Sequence, residues 1–385
     1  PNGERNLTYI LWGSAPSLYT GKARAYLIKK GLDWRERNPG DPDFAARVLP
    51  HVRHFVIPVL ETPDGTIIQD SGDIIDWLEG QHPERPLDPV TPVQSTISLL
   101  FDVIGSEFLL PHAMHYRWSV RAEQEDFLAS EFGRTLVVGE DPVERRIMAS
   151  RAMATFAGTL PGLGVTDAAI PAIEASYHEW LALLDAHFHH HPYLLGGRPC
   201  RGDFGLMASL YAHLGRDPVP AGIMRRIAPN VARWTERMNL MPISDGEFPG
   251  RAEEYPADDA IPATLEPVIA LAWRDWLPGL AADAACFNAW VAGLPAGTPV
   301  SLDGARRVHP SLGPVAFGWR GVHIERRSAV HALWMFARMH SSITAMDGIA
   351  LASFDALLSR TDGSLVKHVT LDRAMQRADN IIILA

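Results

Sequence analysis

Residues 57–71 read Ile57-Pro58-Val59-Leu60-Glu61-Thr62-Pro63-Asp64-Gly65-Thr66-Ile67-Ile68-Gln69-Asp70-Ser71. Val59-Leu60-Glu61 and Thr66-Ile67-Ile68-Gln69 are short strand-forming runs. Thr62-Pro63-Asp64-Gly65 between them supplies a turn, so the stretch predicts a hairpin. Pro58 heads the first run, where a missing N–H is tolerated. Ser71 is placed to cap a helix with an apolar stripe of Ile74, Ile75 and Leu78, and His82-Pro83 ends it.

Working outward, the residues before this hairpin alternate strand and helix signals. Tyr9-Ile10-Leu11-Trp12 is an apolar run that predicts a buried strand, and Gly13-Ser14-Ala15-Pro16-Ser17 is a turn. From Leu18 to Lys30, Tyr19, Ala23, Tyr26 and Leu27 recur at helical spacing. Lys22, Arg24, Lys29 and Lys30 fall largely off that face, and Gly31 is a helix stop. Asp33–Arg37 predicts a second strand, and Asn38–Pro50 a loop with one helical turn at most. After the hairpin and its helix, residues 83–92 hold four prolines and form a domain boundary. Helical patterns follow at Val93–Arg117, Ala122–Phe132, Pro142–Thr159 and Ala172–His189, a strand-free run that predicts an all-helical domain. A second linker-like stretch spans Met241–Pro262. Beyond it, Leu265, Val268, Ile269, Trp273, Trp276 and Leu277 mark an amphipathic helix, and Val330–Ile343 marks another. Between these helices, residues 315–317 and 322–324 are expected to pair as a short hairpin. The domain expectation is therefore 1–88, 93–245 and 260–385, the last mostly helical.

Composition narrows the function classes. The chain has 385 residues, enough for two or three domains, with 47% hydrophobic and 21% charged residues. Its formal net charge of −10 leaves no basic surplus for phosphates, so no nucleic acid is expected as a partner. No run approaches the ~20 apolar residues of a membrane span, and no charged-then-apolar leader is visible at the N-terminus. Cys200 and Cys286 form no disulfide framework, fit a reducing compartment, and cannot alone hold a structural zinc.

Three motifs resemble the cytosolic glutathione transferase family. Leu11–Arg24 is similar to its first strand and catalytic loop. Ile57-Pro58-Val59-Leu60, with Asp64-Gly65 and Gln69-Asp70-Ser71 through Trp77-Leu78, is similar to its glutathione-site signature. Tyr193–Phe204 is similar to the helix start in its second domain. The resemblance covers about residues 7–240, and the remainder is similar only to a longer bacterial branch of the family. It implies an α+β molecule: a thioredoxin-like N-terminal domain, an all-α C-terminal domain and an extension. It also implies glutathione as co-substrate with no metal, a small apolar electrophile, no membrane, a cytoplasmic detoxification setting and a homodimer.

Carried over residue by residue, the resemblance assigns a site. Glutathione must lose its thiol proton to attack, and a free thiol titrates near ~8.5. A helix N-terminus and a hydroxyl donor favour the thiolate. Ser17 occupies the family's catalytic position, although it is also an ordinary helix cap; Ser14 and Tyr19 are the neighbouring hydroxyls, and Tyr9 lies too early. Ser17-Leu18-Tyr19-Thr20 lacks both thiols of a Cys-x-x-Cys motif, which disfavours enzyme-cysteine redox chemistry. The resemblance implies a cis Ile57–Pro58 bond, with the Ile57 backbone aimed at the cysteinyl part of the ligand. Ser71 would hold the γ-glutamyl carboxylate, Asp70 would approach the ligand ammonium, and His51, Arg53 or His54 would meet the glycyl carboxylate. A non-catalytic member that keeps the fold is the rival reading.

Other features read as structural. Cys200 stands where the family caps a core helix with Ser or Thr, so Asp203 would carry that cap alone. His187, His189, His190 and His191 cannot converge from one helix face and predict solvated imidazoles at a helix end. Pro111–Trp118 either lines an acceptor pocket or packs at an interface. The apolar face over 265–280 needs cover and is expected to pack on the helical domain, partly shielding the acceptor pocket.

Overall fold

The computed structural model describes residues 8–307 and 309–385. Residues 1–7, where the reading against a leader begins, and Val308 lie outside the described residues.

Four strands form the N-terminal sheet: β1 (Tyr9–Trp12), β2 (Trp34–Arg37), β3 (Val59–Glu61) and β4 (Ile67–Gln69). Their order is β2-β1-β3-β4, with β1 parallel to β2 and antiparallel to β3, and β3 antiparallel to β4. Helix α1 (Leu18–Lys30) makes the crossover between the parallel pair, and the short α2 (Leu49–Val52) precedes the Ile57–Pro58 cis bond. The predicted hairpin is the β3–β4 pair, with Gly65 at φ 87° in its turn. Helix α3 (Ser71–Gln81) follows β4 directly. This is the thioredoxin-like domain.

Lys22, Lys29 and Lys30 lie off the apolar stripe in the sequence, and all three are nevertheless buried. Helix α1 lies between the sheet and the helical domain, packed along α9 (Arg201–Ala212), so it has no solvent face for them. Each ammonium is paired instead: Lys22 with Asp102 at 2.5 Å, Lys29 with the Tyr193 hydroxyl and the Pro242 carbonyl, Lys30 with Glu79.

The helical domain contains α4 (Pro92–Val103), α5 (Leu110–Trp118), α6 (Glu125–Leu136), α7 (Pro142–Ala157), α8 (Ile170–Phe188), α9, α10 (Pro218–Ile227) and α11 (Pro229–Met238). A wider turn at Ile104–Phe108 joins α4 to α5 in a 27-residue helical rod. By length and composition this rod is apolar enough to cross a membrane, which the sequence reading did not find. It is largely buried within the fold and acts as the core helix. Thr91 leaves the α4 N-terminus uncapped, and the carboxylate of distant Asp259 accepts from Val93 and Gln94 N–H instead.

The C-terminal segment is a layer of α12 (Glu266–Val291), β5 (Pro314–Trp319), β6 (Val322–Arg327), α13 (Val330–Thr344), α14 (Gly348–Arg360), β7 (Met375–Ala378) and β8 (Ile381–Leu384). The face carrying Leu265, Val268, Ile269, Trp273, Trp276 and Leu277 is buried. Arg320 and Arg326 of the β5–β6 hairpin are bound to Asp275 and Asp283 of α12. Helix α13 packs on α4. The β7–β8 hairpin has no counterpart in the sequence reading, although Asp379-Asn380, both at positive φ, form its two-residue turn.

His187 also corrects the expectation. It is fully buried, with Nδ1 paired to Thr264 Oγ1 at 2.9 Å and Nε2 to the Tyr193 carbonyl at 3.3 Å, and burial lowers its pKa to about 3. The neutral ring is a core linker between α8 and the segment entering α12. Among the described residues, no three His, Cys, Asp or Glu side chains gather as a metal site.

Candidate functional site

The sheet register builds the site. Trp12 ends β1 opposite Val59, which begins β3, and Val59 lies opposite Gln69, which ends β4. Three connections therefore leave the sheet at one end of its strands: the loop 13–17 into α1, the cis Ile57–Pro58 bond, and Asp70 into α3.

The loop 13–17 is tightly held. A Cβ on Gly13 would lie 2.3 Å from the Thr20 side chain, so only glycine fits. The Pro16 carbonyl accepts from buried Arg117 at 2.8 Å, and Arg117 is bound in turn to Asp217 at 2.6 Å. Ser17 caps α1, its Oγ accepting from Thr20 N–H at 3.3 Å. That bond uses a lone pair and leaves the hydroxyl proton available to a ligand. Tyr19 is committed elsewhere: its hydroxyl donates to Glu107 Oε1 at 3.2 Å, and burial together with Glu107 raises its pKa well above the usual value.

Ile57 is half-buried between the loop and Pro58, and its backbone N–H and C=O make no backbone hydrogen bond among the described residues. His54 is half-buried nearby in sequence, while His51 and Arg53 are exposed. At α3 the cap is Asp70, not Ser71: Asp70 Oδ1 accepts from Gly72 N–H at 2.8 Å. Asp70 sits at φ 85°, a region non-glycine residues occupy at a cost of ~1–3 kcal/mol. This turns the carboxylate across the helix start and leaves Ser71 as the first helical residue, buried, with no hydrogen bond from its hydroxyl among the described residues.

The C-terminal segment enters here, and no local motif marks its approach. His331 of α13 places Nε2 3.1 Å from Asp70 Oδ2 and Nδ1 2.8 Å from Glu107 Oε1. Burial would lower the His331 pKa, but the two carboxylates raise it to about 10, so both nitrogens donate as an imidazolium. Burial would raise the Asp70 carboxyl, yet His331, Arg377 and Lys22 hold it well below the carboxylate range. Arg377 of β7 donates to Asp73 at 2.7 Å and to Gln69 at 2.6 Å, and stands 3.8 Å from Asp70. The Trp334 ring lies between Arg338 and Arg377, with its edge over Gly72. Asn380, at the β7–β8 turn, donates to the His51 carbonyl at 3.3 Å.

Residues 111–118 pack rather than line an open pocket. His112 is buried against Trp319 of β5, bonded to Ser176, and burial lowers its pKa to about 3. Asp203 accepts from the backbone N–H groups of Cys200 and Leu194 and from Trp234, as the expected helix cap. Burial raises the Cys200 thiol well above its usual pKa, so it is inert as a nucleophile.

Residues 11–86 match the family model described as glutathione S-transferase, N-terminal domain. Over these residues the chain is similar to the N-terminal domain of glutathione S-transferases. No curated protein matches the chain. Similar solved structures include a glutathione S-transferase from Methylobacterium radiotolerans in complex with glutathione sulfonate, 23% identical over 61% of this chain and 92% of that one, TM-score 0.37. A β-etherase from Sphingobium sp. is 18% identical over 61% and 96%, TM-score 0.38. A Tau class glutathione S-transferase from mango, Mangifera indica, is 20% identical over 63% and 92%, TM-score 0.35.

Proposed function

We infer that the protein is a glutathione transferase that directs the glutathione thiolate onto an apolar electrophile, by addition or displacement. The observation that carries this reading is the shared end of the sheet's strands, where Ser17, the unpaired Ile57 backbone and the start of α3 stand together. Ser17 would donate a hydrogen bond to the thiolate sulfur while the α1 N-terminus favours the negative charge. Each unit by which the thiol pKa falls corresponds to ~1.4 kcal/mol of preference for the thiolate. Ile57 would pair with the cysteinyl backbone, Ser71 and the α3 N–H groups with the γ-glutamyl carboxylate, Asp70 with the ammonium, and His54 with the glycyl carboxylate. A homodimer and a cytoplasmic detoxification role belong to the same reading.

A non-catalytic binding protein is the second reading, favoured by one observation: His331 and Arg377 already neutralise Asp70. Calorimetry with glutathione and turnover on aryl halides, epoxides and unsaturated carbonyls separate the two. Ser71→Ala is expected to weaken binding by ~1.5–3 kcal/mol, because it removes a hydrogen bond to a full carboxylate. Ser17→Ala is expected to lower kcat at nearly unchanged affinity. Unchanged affinity in Ser71→Ala removes that residue from the site, and binding without any turnover favours the second reading.

A further inference from the structure

Three side chains of the C-terminal segment converge on the corner where the foregoing reading seats the γ-glutamyl end of glutathione. The His331 N–H points at the Asp70 oxygen that would receive the ligand ammonium, at 3.1 Å. The Arg377 guanidinium supplies a second cation at the same carboxylate and is clamped on both flanks, by Gln69 and by Asp73. Trp334 covers the first turn of α3 at Gly72. Asn380 extends the cover to His51, beside the glycyl end. The charged groups facing this corner are Asp70, Asp73, Glu107, Lys22, His331, Arg338 and Arg377, so its anions meet cations carried by the protein itself.

We propose that the β7–β8 hairpin, with His331 and Trp334, is a gate on the glutathione cradle: these residues occupy the γ-glutamyl corner in the free protein and yield it when glutathione binds. This rests on the glutathione reading of the cradle. The hairpin swings and the two side chains turn, while α12 and the body of α13 stay packed. Ligand and gate then compete for Asp70 and the α3 N-terminus. The apparent dissociation constant of the free protein is raised by the fraction of molecules that are closed. An ammonium ligand replaces one ionic partner of Asp70 by another, while Asp73 exchanges Arg377 for water as the hairpin moves.

Glutathione titrations by calorimetry, paired with hydrogen exchange of the full chain, test this. Arg377→Ala, and separately His331→Gln, loosen the gate and are expected to bind glutathione ~5-fold or more tightly than the wild type. In the wild type, saturating glutathione should raise amide exchange over 375–384 and lower it over 71–75. Weaker or equal affinity in both variants, with exchange over 375–384 unchanged or lowered, overturns the gate and leaves the cradle intact. That pattern would make Arg377 a ligand contact or a bystander. If no form of the protein binds glutathione, the cradle reading itself fails and takes the gate with it. The exchange measurement needs no substitution, so it decides the matter even where a variant fails to fold.

Discussion

At Asp70 the chain pays in backbone strain for a carboxylate aimed across a helix start, and His331 holds it there. The pair carries a pH signature. The His331 pKa stands at about 10 in the fold, above the ordinary 6.5 of a free imidazole. A group raised on folding stabilises fully below its unfolded pKa and loses that contribution as pH rises through its folded one. The stability of wild type over His331→Gln should therefore be largest below pH ~6.5 and shrink between ~6.5 and ~10. Denaturant melts of both proteins across that range check it, and a difference that is flat with pH would mean that folding leaves the His331 pKa unshifted. Ser17 and Asp70-Ser71 were legible as a loop hydroxyl and a helix start. His331 was not, because a histidine 261 residues away from Asp70 carries no local mark of its partner.

Between elements, Arg117 joins α5 to the loop that holds Ser17. It is buried with Asp217 and donates to the Pro16 carbonyl. Removing one partner of a buried pair leaves the other charge uncompensated. Arg117→Leu should cost ~3–5 kcal/mol of stability, and Arg117→Leu with Asp217→Leu distinctly less, since no lone carboxylate then remains buried. Chemical denaturation of the single and double variants measures this; an equal loss in both would assign the cost to packing alone. The lysines of α1 teach a related point. Helical spacing located the apolar stripe, but which other faces are buried depends on what packs there: Asp102, Tyr193, Pro242 and Glu79 meet the lysines from distant parts of the chain.

For the whole molecule, the C-terminal layer closes the structure. Its α12 face buries two tryptophans and four aliphatic side chains, and α13 lies on α4. Truncation after Pro262 would uncover those partners, strip His331 from Asp70 and Glu107, and leave apolar area in water at ~25 cal/mol per Å². The shortened protein should melt at lower temperature and aggregate, as light scattering during thermal denaturation would register. Equal solubility and melting temperature would show an independent appendage.

Local chemistry by itself determined the β3–β4 hairpin, the helix after it, the Pro-rich boundary and the amphipathic face of α12. Turn residues, helix stops and apolar periodicity act over a few residues and need no partner to be read. Only the tertiary structure decided that α1 buries its lysines, that His187 is a core linker, and that His331, Trp334 and Arg377 lie at the start of α3. Those outcomes depend on which surfaces meet. A pairing such as Asp70 with His331 is set by packing of α13 against α4, and the spacing of residues along the chain does not encode it.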